Sequence, residues 1–124
     1  MADYLIIGIG GFIGSIARYV LTVWIRDKWG MGLPIGTFVV NISGSFLIGL
    51  VTTVLMMRHI IDPQWRLFIV VGFLGAYTTF STFEIETSTL LKQGETLAAA
   101  LYVVFSVIIG YIALKLGDAA GRVI

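Results

Sequence analysis

"GAYTTFSTFEIE", residues 75–86, sets four hydroxyls (Thr78, Thr79, Ser81, Thr82), two phenylalanines (Phe80, Phe83) and two carboxylates (Glu84, Glu86) into otherwise lipid-soluble sequence. How this stretch is read decides the fold. Glycine is a poor helix former and threonine a weak one, so Gly72, Gly75 and the threonines weaken a helix here. Two conformations are open. In one, the helix is kinked but continuous and its hydroxyls bond back to the preceding turn. In the other it breaks. Carbonyls freed at membrane depth are tolerated only where protein, water or an ion satisfies them. Such carbonyls from two antiparallel copies could cage a small hard cation such as sodium.

The rest of the chain supports a membrane setting. Its 124 residues are 58% hydrophobic and 12% charged, against about 25% charged in soluble domains. Four stretches reach the roughly 20 apolar residues a membrane helix needs: Tyr4–Ile25, Ile35–Met57, Leu67–Leu91 and Leu97–Gly117. The expectation is one four-helix transmembrane domain, an all-α membrane protein whose third helix is kinked or broken. Asp62-Pro63 is a helix-start signal. Trp24, Trp29 and Trp65 fall near span ends, where indoles suit the interface. The opening Met1-Ala2-Asp3 lacks the basic region of a signal peptide. A net charge of +1 and no cysteine disfavour a nucleic-acid partner and a disulfide or thiolate metal site. His59 reads as a loop histidine.

The basic residues are nearly balanced across the membrane. Arg58, Arg66, Lys115 and Arg122 fall on the side of the termini, and Arg26, Lys28 and Lys92 on the other, which Arg18 joins by snorkelling. The positive-inside rule then barely prefers one orientation. Either one distal charge decides, or the chain inserts both ways and forms an antiparallel dimer.

Small residues recur at helix spacing: Gly10 with Gly14, Ser45 with Gly49, and Ser106, Gly110, Ala113 and Gly117 along one face. Such faces let backbones approach closely in lipid, and four short spans enclose little volume, so a homo-oligomer is expected. Ionisable groups within spans are functional candidates because they are expensive there. Lys115 can snorkel. Glu84 and Glu86 lie on different faces and cannot form a carboxylate pair. Arg18 can pair, snorkel or charge an entrance. Asn41 lies about six residues into the second span, roughly 9 Å deep, either as interhelical glue or as an N–H donor to an anion.

After the hydroxyl run, Phe80 and Phe83 share one face, and Thr79, Thr82 and Glu86 a neighbouring one. Ring edges are partly positive and hydroxyls and amides donate hydrogen bonds, but none is fully charged. Together they suit a small, strongly hydrogen-bonding anion that must leave as readily as it enters.

"GFLGAYTTFSTFEIET" (72–87), "GTFVVNISGSFLIG" (36–49) and "GIGGFIGSIARY" (8–19) closely resemble the Fluc (CrcB) fluoride channels, over essentially the whole chain. The resemblance implies a dual-topology antiparallel homodimer in a prokaryotic plasma (inner) membrane, passing fluoride passively and selectively out of the cell. It implies pore residues at Phe80, Phe83 and Asn41, with Tyr102 and Ser106 from the fourth span and Ser81 and Thr82 on a polar track. It implies vestibule residues at Arg18 and Glu86, a break in the third helix, and a structural sodium ion at the dimer centre held in that break by the carbonyls of Gly75 and Thr78. Ala76, Tyr77, Glu84 and Gly110 depart from residues common in such channels.

Two other classes compete. A proton-coupled exporter of cationic compounds, like small multidrug transporters, needs a membrane-embedded carboxylate. The first span has none from Tyr4 to Ile25, leaving only Glu86. A non-transporting subunit would explain the glycines but not the hydroxyls and Asn41. An enzyme is disfavoured, since no nucleophile–base pair or metal cluster is legible. The exporter reading requires cation-driven proton movement that Glu86→Gln abolishes; no such movement is expected in proteoliposomes.

Overall fold

The computed structural model describes residues 1–59 and 62–124, which form helices joined by short turns. α1 (Ala2–Trp29) and α2 (Ile35–Met57) are continuous. α3 (residues 63–77) begins with the turn Pro63–Arg66, continues as a π-helical segment, Leu67–Leu74, and ends at Gly75–Tyr77. After the break come α4 (Phe80–Lys92) and α5 (Thr96–Val123). With α3 and α4 forming one broken span, four segments among the described residues are long and apolar enough to cross a membrane.

The second span matches the expected bounds, and the other three run further. α1 and α5 have 28 residues each, about 42 Å of helix against a hydrocarbon core of about 30 Å. Backbone hydrogen bonding need not stop where the apolar run does, so ends bearing Asp27, Lys28, Asp118 and Arg122 extend past it. Local signals set the termini. The Asp62 carboxylate accepts from the Gln64 N–H at 3.0 Å, with Pro63 next to it. Gly30 closes α1 at φ +83°, donating its N–H to Arg26 O at 2.7 Å. Gly94, at φ +80°, turns the chain between α4 and α5.

α1 packs on α3, α2 lies along α5, and α4 folds back against α5. Glycines occupy the crossings. A Cβ at Gly10 or Gly14 would collide with the backbone of Phe68 or Phe73, and one at Gly72 would lie 2.7 Å from Ile7 O. On the other side, a Cβ at Gly49 would strike Leu114 O and one at Gly117 would strike Phe46 O. Lipid tails provide no hydrophobic drive to bring helices together, so close van der Waals contact has to do so. The interior is correspondingly small. Val40 is the one large side chain fully buried among the described residues, while Phe12, Val107, Tyr111 and many other apolar side chains face outward.

Past the expected end of the fourth span, Asp118 accepts from Thr53 Oγ1 at 2.6 Å and lies 3.4 Å from Arg122 and 3.8 Å from Lys115. This polar contact joins α5 to α2 beyond their glycine crossing. Lys115, expected to snorkel, is half-exposed and directed at Asp118.

Gly117→Val is expected to destabilise the protein by about 1–3 kcal/mol, the usual cost of forcing volume into a packed contact. Gly8→Ala, with nothing within 4 Å of its added carbon, should leave stability unchanged or raise it by up to about 1 kcal/mol, the helix-propensity gain of alanine over glycine. Thermal unfolding of both variants in detergent checks the contrast.

Candidate functional site

The span is broken, not merely kinked. Thr78 (φ −87°, ψ 155°) and Thr79 (φ −149°, ψ 121°) are both extended. A helix end leaves up to four backbone groups without intrahelical partners, and here two ends meet inside a membrane span. Side chains take up several of these groups. Asn41 Nδ2 donates to Thr79 O at 2.9 Å, and Asn41 Oδ1 accepts from Thr79 N–H at 2.8 Å. The amide thus pairs with Thr79 much as a neighbouring strand would. Arg18 Nε donates to Ala76 O at 2.9 Å, placing a cation at the carbonyl end of α3, where the helix dipole favours it. Thr78 closes back on Leu74 O through its N–H at 3.0 Å and its hydroxyl at 2.9 Å. Thr79 caps α4, its hydroxyl accepting from Thr82 N–H at 3.3 Å.

Among the described residues, no hydrogen bond falls on the carbonyls of Gly75, Tyr77 or Thr78. Tyr77 is buried, but Gly75 is exposed and Thr78 half-buried, and both border an open cleft of about 400 Å³. These two positions are the ones named for a cation, and two free carbonyls per chain are the donor type a hard cation takes. No group of three or more His, Cys, Asp or Glu suited to a metal occurs among the described residues.

The same cleft gathers much of the expected pore set. Asn41, Phe80, Phe83 and Ser106 line it, with Ser45, and no ionisable side chain does. Ser106 Oγ is the one buried side-chain oxygen or nitrogen without a hydrogen-bond partner among the described residues. Phe80 and Phe83 have ring centroids 5.8 Å apart. Phe83 also leans on Tyr102, at 5.0 Å and 60°. Phe80 is 71% exposed, so within a single chain the cleft is open along its side.

Arg18, Thr82 and Glu86 lie elsewhere, on a second opening of about 350 Å³ that also contains Arg26 and Gln93. Thr79 lines both openings. Tyr102 is buried and donates to Glu86 Oε1 at 3.1 Å, linking the aromatic pair to the acidic end of the polar stripe. Ser81 is exposed and borders neither opening. Glu84 is exposed and joins no ion pair among the described residues.

Ser45, expected from its spacing to Gly49 to be a packing residue, also borders the cleft. With Asn41, Gly44 and Ile48 it occupies positions i+4, i, i+3 and i+7, one helix face, and all four line the cleft. Ser43 had no such signal. Its hydroxyl is 2.9 Å from Tyr77 Oη, and Tyr77 stacks on Phe73 at 5.7 Å and 11°. The departure at Tyr77 therefore has a built partner: the ring fills the space beside the break and its hydroxyl is satisfied.

Residues 5–118 match the model of the family described as CrcB-like protein, Camphor Resistance (CrcB). The chain is 48% identical over 119 residues to a fluoride-specific ion channel, FluC, of Solibacter usitatus, covering 96% of this chain and 98% of that one. It is 46% identical over 119 residues to the FluC of Acidobacterium capsulatum, covering 96% and 95%. It is 44% identical over 124 residues to the FluC of Geotalea daltonii, covering the whole of both.

Ser43→Ala should cost about 1–3 kcal/mol by stranding the buried Tyr77 hydroxyl, and Tyr77→Phe added to it should recover part of that loss. A double-mutant cycle read by thermal unfolding measures the coupling, and strictly additive effects would remove this contact from the account of the break.

Proposed function

The chain belongs to the CrcB-like family, and from that membership we propose that it is a fluoride-selective ion channel that lets fluoride leave the cell passively. The observation that carries this reading is the cleft beside the break. It combines the amide of Asn41, the unpartnered hydroxyl of Ser106 and the rings of Phe80 and Phe83, and no ionisable side chain lines it. Fluoride is small and holds its hydration strongly, so a path must offer hydrogen-bond donors in place of water. A full positive charge at the narrow part would retain the ion, whereas neutral donors and ring edges let it go. Arg18 at the separate polar opening would supply positive potential at an entrance. Glu86, engaged by Tyr102, is poorly placed to be the freely exchanging carboxylate of a proton-coupled exporter.

The working form in this proposal is an antiparallel, dual-topology homodimer in a prokaryotic inner membrane. The near-even charge distribution supports it, as does the one-sided exposure of Phe80 and Gly75, which a second copy would cover. A sodium ion between the copies fits the free carbonyls of Gly75 and Thr78. When bound, it would supply a fixed positive charge that neutralises carbonyl ends stranded in lipid. Thr82, hydrogen-bonded to Thr79 and lining the second opening with it, would continue the polar path along α4.

Liposomes containing the purified protein, clamped with valinomycin, are expected to lose fluoride rapidly and retain chloride. Phe80→Ile and Asn41→Asp should each slow the loss by at least about tenfold, the effect of roughly 1.4 kcal/mol at the barrier. Unchanged flux in both variants would exclude these residues from the path. Accessibility labelling of a single cysteine near residue 124 in intact cells should give about half the signal of permeabilised cells; labelling from one side only would reject dual topology.

A further inference from the structure

In an unbroken helix, Gly75 O would accept from Thr79 N–H, and Thr78 O from Thr82 N–H, by the ordinary four-residue pattern. Both donors are turned elsewhere. Thr79 N–H goes to Asn41 Oδ1 at 2.8 Å. Thr82 N–H goes to Thr79 Oγ1 at 3.3 Å. The carbonyls left free by these two diversions are those of Gly75 and Thr78, both bordering the open cleft. Of the neighbouring carbonyls, Leu74 O is taken by Thr78 and Ala76 O by Arg18, and Tyr77, whose carbonyl is also free, is buried and does not line the cleft.

From this we infer that Asn41 and Thr79 are positioning residues for the cation: by capturing the helical donors of Gly75 and Thr78, they keep those two carbonyls available to it. The inference rests on the sodium reading above and adds to it the side chains that create the site. Asn41 thereby has two duties. One N–H of its Nδ2 is spent on Thr79 O at 2.9 Å, and the other remains for the cleft it lines. The anion path and the cation site then share one amide, and a change in either is felt by the other. Thr79 has no need to touch the cation through its side chain, because its hydroxyl acts one hydrogen bond away.

The test is the sodium dependence of thermal stability of the purified full chain, with N-methylglucamine chloride replacing sodium chloride at constant ionic strength. The wild-type protein should be stabilised by sodium. Thr79→Val keeps the side-chain shape and loses the capping acceptor. It should raise the sodium concentration for half-maximal stabilisation about tenfold, the scale of one hydrogen bond. Thr79→Ser should restore the wild-type midpoint. Asn41→Leu should shift it at least as far as Thr79→Val, and if that variant does not fold, the Thr79 pair decides. A wild-type response to sodium with unshifted midpoints in folded Thr79→Val overturns the inference and leaves the sodium reading standing. No wild-type response overturns both.

Discussion

A peptide group without a hydrogen-bond partner is tolerable in water and costly in hydrocarbon. The third span interrupts its helix at Thr78 and Thr79, where that cost would be greatest, and much of the remaining fold can be understood as the response. α2 brings Asn41 to the Thr79 peptide, α1 brings Arg18 to Ala76 O, and the threonines close on their own turns. Each helix is held where its side chain can reach a stranded backbone group. The break is thus a constraint that fixes how α1, α2 and the third span sit together.

Glycine contacts make that reach possible. An arginine or asparagine can bridge to a neighbouring backbone only if the helices are close, and Gly10, Gly14 and Gly72 bring α1 against α3. The π-helical turn from Leu67 to Leu74 belongs to the same contact, its backbone lying where added carbons on α1 would fall. α2 and α5 meet through Gly49 and Gly117, setting the unpartnered Ser106 beside Asn41 and Ser45. Packing and site are therefore inseparable here. A glycine several turns from the break helps determine whether the cleft has its shape.

The break also sorts charge. The end of α3 presents carbonyl oxygens, and the start of α4 presents N–H groups, so oppositely signed helix ends lie two residues apart. Broken helices in membranes commonly use such ends to hold ions of both signs. In this chain the guanidinium of Arg18 takes one carbonyl on the negative end, while neutral donors line the cleft. Arg18, Arg26 and Glu86 line the second opening, and no ionisable side chain lines the cleft. That separation suits an ion path in which strong binding would be an obstacle.

Composition and local signals along the chain establish the setting and most of the element plan. Charge depletion and four apolar runs required a membrane, Asp62-Pro63 marked a helix start, and the glycine spacings named the crossing faces. These are local or periodic signals, which survive without knowledge of partners. The ambiguity at residues 75–86 was different in kind, because a weak helical sequence is compatible with both a kink and a break. Tertiary structure decided it: Asn41, 38 positions earlier, supplies the two hydrogen bonds that make an extended Thr79 tolerable. The same holds for Ser43 against Tyr77 and for the separation of Arg18 and Glu86 from the Asn41 cleft, since hydrogen-bond partners far apart in the chain are chosen by helix packing and leave no periodic trace.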